Sequence, residues 1–180
     1  MSRQRQLRWL ITFILMPVAL AQTHNHHGLS QQVTALSGKD HPELISDQEA
    51  ITIFFITIMA PSTAGAPEKN RFSAMTGRMQ LSEADSSLLW KAAQTFHSQF
   101  QPYRTEADTL AKTVGDTKRL DTERMDAQQR RIGVVANIDV LAQSTYAEAA
   151  THLSPVGAAK LHEHIEYVKT KMKIVPSPKM

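Results

Sequence analysis

Residues 50–60, AITIFFITIMA, constrain this chain more than any other segment. The stretch carries no charge and is apolar almost throughout, so water is a poor neighbour on every side of it. It is too short to cross a bilayer, which takes about 20 residues. It must therefore be buried in its own domain or be covered by a partner. Ser46-Asp47-Gln48-Glu49 just before it has the pattern of a capping box, with Ser46 as the N-cap and Glu49 reaching back. Ile51, Phe54, Phe55, Ile58 and Met59 then recur at the spacing of one helix face. The β-branched content also suits a strand, but the cap and the Pro61 stop favour a helix. Two fates remain open for these five side chains. They are either core or a face for interaction with another protein.

Further helices follow from the same periodicity. Residues 61–80 hold two prolines and two glycines and read as a loop. Ser82 is placed to cap a helix whose first turn carries Glu83 and Asp85. Leu89, Ala93, Phe96 and Phe100 form its stripe, and Pro102 is expected to kink or split it. Tyr103, Ala107, Leu110 and Val114 continue the stripe to Gly115, a C-cap signal. From about Asp121 to Tyr146 a long helix starts charged and turns apolar at Val134, Val135, Ile138, Leu141 and Ala142. Ser154 and Pro155 open a last helix as N-cap and N1, with Leu153 ahead of them as a staple. Its inner face is Ala158, Leu161, Ile165, Val168 and Met172. The expected fold is all-α, a small antiparallel assembly of four or five helices.

The chain divides at its N-terminal end. In residues 1–21, Arg3, Arg5 and Arg8 precede a short apolar run that closes on Ala19-Leu20-Ala21. That is the pattern of a cleaved signal peptide, and it predicts a secreted or periplasmic product with no stable membrane insertion. Residues 22–44 read as a mobile, His-containing leader, 45–173 as a single helical domain, and 174–180 as an extended tail. The net charge of +3 lies wholly in Arg3, Arg5 and Arg8 of the signal-peptide segment, so the mature chain has 17 basic and 17 acidic residues. The basic isoelectric point thus gives no reason to expect nucleic-acid binding. The chain has no cysteine, which excludes thiolate nucleophiles, Cys-ligated zinc and iron–sulfur clusters.

Few residues offer chemistry. Cleavage after Ala21 would leave Gln22-Thr23-His24 at the new N-terminus, followed by His26 and His27. A free α-amine, two backbone amides and an imidazole at position three form a square-planar nitrogen set suited to Cu(II) or Ni(II). Met75 and Met79, with Met59, are soft thioethers, though such spacing is the habit of packing residues. His162 and His164 lie two apart, which points them to opposite sides of a helix. His162 is expected to pair with Glu166 one turn on. Arg130 and Arg131 sit in a run of mixed sign and read as a solvated face. Asp139 flanks an apolar stripe and is expected to make an interhelical hydrogen bond. There is no G-x-S-x-G, S-x-x-K, P-loop or G-x-G-x-x-G, and no catalytic residue is nominated.

Two helix starts are alike: Leu81-Ser82-Glu83-Ala84-Asp85 and Leu153-Ser154-Pro155-Val156-Gly157. They resemble the Leu-Thr-x-x-Gln motif of the small periplasmic helical stress-chaperone proteins, and the order of parts is similar over about residues 81–173. Asp85 and Gly157 stand where the motif has glutamine. The resemblance implies helical hairpins joined into a curved dimer that binds unfolded protein clients. Together these features lead us to expect an exported, non-enzymatic helical protein that binds other proteins or itself. Copper or nickel binding at the mature N-terminus is the alternative.

Overall fold

The structure is a computed structural model that describes residues 36–59 and 68–174. Its main elements are α1 (Asp47–Ile58), α2 (Glu68–Met79), α3 (Glu83–Gly115), α4 (Asp121–His152) and α5 (Pro155–Lys171). A two-residue antiparallel pairing of β1 (Leu36–Ser37) with β2 (Lys173–Ile174) joins the two ends of the described fold. The class is all-α, as the periodicity predicts.

α3 and α4 form a long antiparallel hairpin, the most extensive pairing in the molecule. α1 is central to the remaining packing and contacts α2, α3, α4 and α5. An aromatic chain runs through this body. Phe54 meets Phe55 edge-on at 5.1 Å, Phe55 meets Phe96 at 5.2 Å, and Phe96 stacks on Phe100 at 5.4 Å. Burial of each such ring contributes about 1.5–3 kcal/mol. The expected caps are formed. Ser46 Oγ accepts from the Glu49 amide, and the Glu49 carboxylate accepts from the Ser46 amide.

Several local expectations are corrected. Residues 68–79, read as loop because of their Gly and polar content, form α2, with Phe72, Thr76 and Met79 buried on one face. Its C-terminus is a Schellman motif. The Leu81 amide donates to the Thr76 carbonyl, the Gln80 amide donates to Gly77, and Gln80 takes a left-handed φ of 53°. Pro102 does not split α3, which runs continuously from Glu83 to Gly115. The proline lies on an exposed face, where water can reach the carbonyl its missing N–H leaves free. Gly115 is the last helical residue and Asp116 the C-cap.

Residues 36–44, which read as part of a mobile leader in sequence, are held in place. The Gly38 amide donates to the Met172 carbonyl at 2.9 Å, Pro42–Leu44 form a 3-10 turn, and Ile45 is buried. A Cβ on Gly38 would lie 2.1 Å from the Lys169 carbonyl oxygen, so only glycine allows this crossing. No helix among the described residues is long and apolar enough to cross a membrane.

Candidate functional site

The two Leu-Ser helix starts meet each other. Ser82 Oγ accepts from the Asp85 amide at 3.1 Å, and Ser154 Oγ accepts from the Gly157 amide at 3.0 Å. Each serine hydroxyl then donates to Asp85 Oδ2, at 2.8 Å in both cases. The Ser154 amide donates to Asp85 Oδ1 at 2.8 Å. One carboxylate thus serves the positive ends of both α3 and α5. The hydrogen bond from the Ser154 amide, with those from the two hydroxyls, holds the Asp85 pKa below its ordinary value against the effect of burial. Gly157 makes the contact possible, since a Cβ there would sit 2.6 Å from Asp85 Cγ. The fifth positions of the two motifs are therefore complementary, an acid in one and an empty space in the other. Chemically this is a clasp. The carboxylate oxygens accept from both helix starts, and the lowered pKa makes the group a weaker base than an ordinary carboxylate.

The other nominated residues are dispersed. Gln22, Thr23, His24, His26 and His27 lie outside the described residues, as does the signal-peptide segment. Ile51, Phe54, Phe55, Ile58 and Met59 are all buried in the core, so the first of their two fates holds and they form no surface for a partner. Their helix is apolar nearly all round because four other helices surround it. Met59 and Met79 are buried and Met75 packs against the core. His162 is exposed, and Glu166 accepts from Lys169 at 2.7 Å in place of the expected histidine. Lys169 also donates to Asp47. Burial lowers the affinity of Lys169 for its proton, but these two carboxylates outweigh it and raise the pKa. Asp139 accepts from the Thr52 hydroxyl at 2.8 Å, an interhelical bond of the expected kind. Burial raises its pKa, with the Thr52 bond opposing. Arg130 pairs with Glu106 of α3 at 3.0 Å. Among the described residues no three His, Cys, Asp or Glu groups come together as a metal site.

The surface that sequence reasoning missed is the far half of the hairpin. Hydrogen bonds and aromatic contacts from α1, α2 and α5 reach the hairpin near Asp85, Trp90, Phe96, Asp139 and Gln143. Beyond them, residues 101–115 and 121–137 form an arm of about 22 Å at the α-helical rise. Among the described residues, the hydrogen bonds across it run between its own two helices, as in Arg124 Nε donating to the Val114 carbonyl at 3.1 Å. Leu110, Ala127 and Val134 are its buried side chains. An open groove of about 760 Å³ runs along it, with Leu110, Ala127 and Pro102 among its lining residues. At the tip Leu120 is 68% exposed and Met125 71% exposed. Both are apolar residues within a charged run, off the core stripe, and that was the signal available in the sequence.

The described residues define a class: an all-α protein in which a long hairpin is braced at one end by three shorter helices. No family model, curated protein or solved structure matches the chain.

Proposed function

We propose that this is an exported, non-enzymatic helical protein that self-associates through its two-helix arm, with a role of the envelope-stress kind. The observation that carries the reading is the arm itself. Among the described residues, the hydrogen bonds and ion pairs across it join its own two helices, its groove is open, and its tip exposes Leu120 and Met125. A second arm laid against it would supply the neighbours that make a four-helix bundle. Charge permits this pairing. Acids and bases alternate along the arm in Arg104–Asp108, Arg119–Glu123, Arg124–Asp121 and Arg130–Glu106. A copy related by a two-fold axis therefore meets no block of like charge. Export rests on the pattern of residues 1–21, and the stress role rests on the resemblance of the two Leu-Ser starts.

Sedimentation velocity over a range of concentrations tests the reading. The mature protein is expected to form a dimer that the double variant Leu120→Glu, Met125→Glu weakens at unchanged helix content. A wild-type protein that stays monomeric contradicts the proposal. If that monomer captures an unfolded polypeptide, client binding replaces self-association.

A further inference from the structure

A second cavity, of about 350 Å³, lies between the end of α2 and the middle of α5. α5 supplies Lys160, Glu163, His164 and Tyr167, which share one helix face at i, i+3, i+4 and i+7. α2 supplies Arg78, and Gln80 closes the rim. Lys160 is within electrostatic reach of Asp85, and Glu163 lines the same space. Among the described residues, neither Arg78 nor Lys160 has a carboxylate within 4.0 Å, although ion pairs of that length are frequent elsewhere in the fold. Lys160 donates to the Gln80 carbonyl, which leaves two of its three ammonium protons for another acceptor. That carbonyl belongs to the left-handed Gln80, a conformation strained in a residue with a side chain.

His164 is half-buried and held between aromatic rings, 5.7 Å from Phe54 of α1 and 5.6 Å from Tyr167. Neither of its ring nitrogens has a hydrogen-bond partner among the described residues. Burial, followed by the positive charge of Arg78, lowers its pKa. The charged and titratable groups around it are Arg78 from α2 and Lys160, Glu163 and Tyr167 from α5, while α1 contributes Phe54. An arginine fork, an ammonium and an imidazole thus face one small space that holds a single acid.

We propose that this cavity is an oxyanion-binding site for a small ligand bearing a carboxylate or a phosphate group. Arg78 supplies the planar fork, Lys160 a second charged donor, and His164 a third donor whose ring is fixed by its aromatic neighbours. Tyr167, half exposed beside them, offers a ring face to the rest of the ligand.

The test is an NMR titration of the full chain, reading the His164 ring and Lys160 side-chain signals while inorganic phosphate or benzoate is added. The expected result is saturable movement of both signals by at least one probe, with the His164 pKa rising in the bound form. Benzoate alone marks a carboxylate ligand, and phosphate alone marks a phosphate ligand. Arg78→Ala, at an exposed position, should weaken binding about tenfold or more. Arg104→Ala, which removes a charge from the distant arm, should leave binding unchanged. Absence of saturation with both probes overturns the proposal. Equal weakening by the two arginine variants also overturns it, because general charge screening would then account for the signal.

Discussion

The two halves of the α3–α4 hairpin are made from the same two helices and are held in different ways. In the braced half Leu89, Ala93, Phe96 and Ala142 are fully buried, and Phe55 of α1 closes over Phe96. In the arm the buried side chains are Leu110, Ala127 and Val134, Tyr103, Ala107 and Val114 are partly buried, and the ion pairs, of which Arg130–Glu106 joins the two helices, are exposed. Such pairs contribute about 0–1 kcal/mol each. Hydrophobic periodicity runs through both halves. It shows that a helix has an inner face, but not how many neighbours will share that face.

Truncations sharpen this contrast. Phe55→Ala should cost about 3–5 kcal/mol, read by chemical denaturation, because no neighbour can collapse into so enclosed a site. Leu110→Ala should cost less, about 2–3 kcal/mol, since the open groove lets the arm relax. Equal costs would erase the distinction between the halves.

The clasp tests the body independently. Asp85→Ala removes the acceptor for two hydroxyls and one amide at two helix starts, and should cost about 3 kcal/mol. Gly157→Ala forces the carboxylate away and should destabilise in the same direction. The folded-state pKa of Asp85 is lowered, so its stabilisation is present above the ordinary carboxylate pKa and is lost as pH falls through the folded value. Asp85→Asn should therefore flatten the acid limb of the stability curve. Asp139 behaves in the opposite sense, because its folded-state pKa is raised. Its contribution is full below the unfolded pKa and is lost as pH rises through the folded one. Asp139→Asn keeps an acceptor for Thr52 and should slightly raise stability at neutral pH. The smallest expected effect is at Gln80. Glycine there relieves the left-handed strain and should raise stability by about 0.5–1 kcal/mol.

Much of this was legible in the chain because the signals are local. Ser46 with Glu49, Ser82, and Ser154 with Pro155 mark their helix starts within three or four residues, and the stripes of α3, α4 and α5 fall on buried or partly buried positions. The Asp139 hydrogen bond was also readable, as an acid flanking an apolar stripe. What escaped was either masked by composition or set by long-range contact. α2 has a usable stripe in Phe72, Thr76 and Met79, but Gly77 and its polar neighbours resemble a loop. The clasp joins Asp85 to Ser154, and Lys169 reaches back to Asp47. No local pattern encodes either pairing. The apolar run of α1 fitted burial and interface equally well until the surrounding helices were known.

Hydrogen exchange along α3 and α4, measured at several protein concentrations, tests the central claim most directly. The account predicts weaker protection for residues 101–115 and 121–137 than for the braced half, with protection of the arm alone rising as concentration increases. Uniform protection along both helices, or an arm that does not respond to concentration, would contradict it.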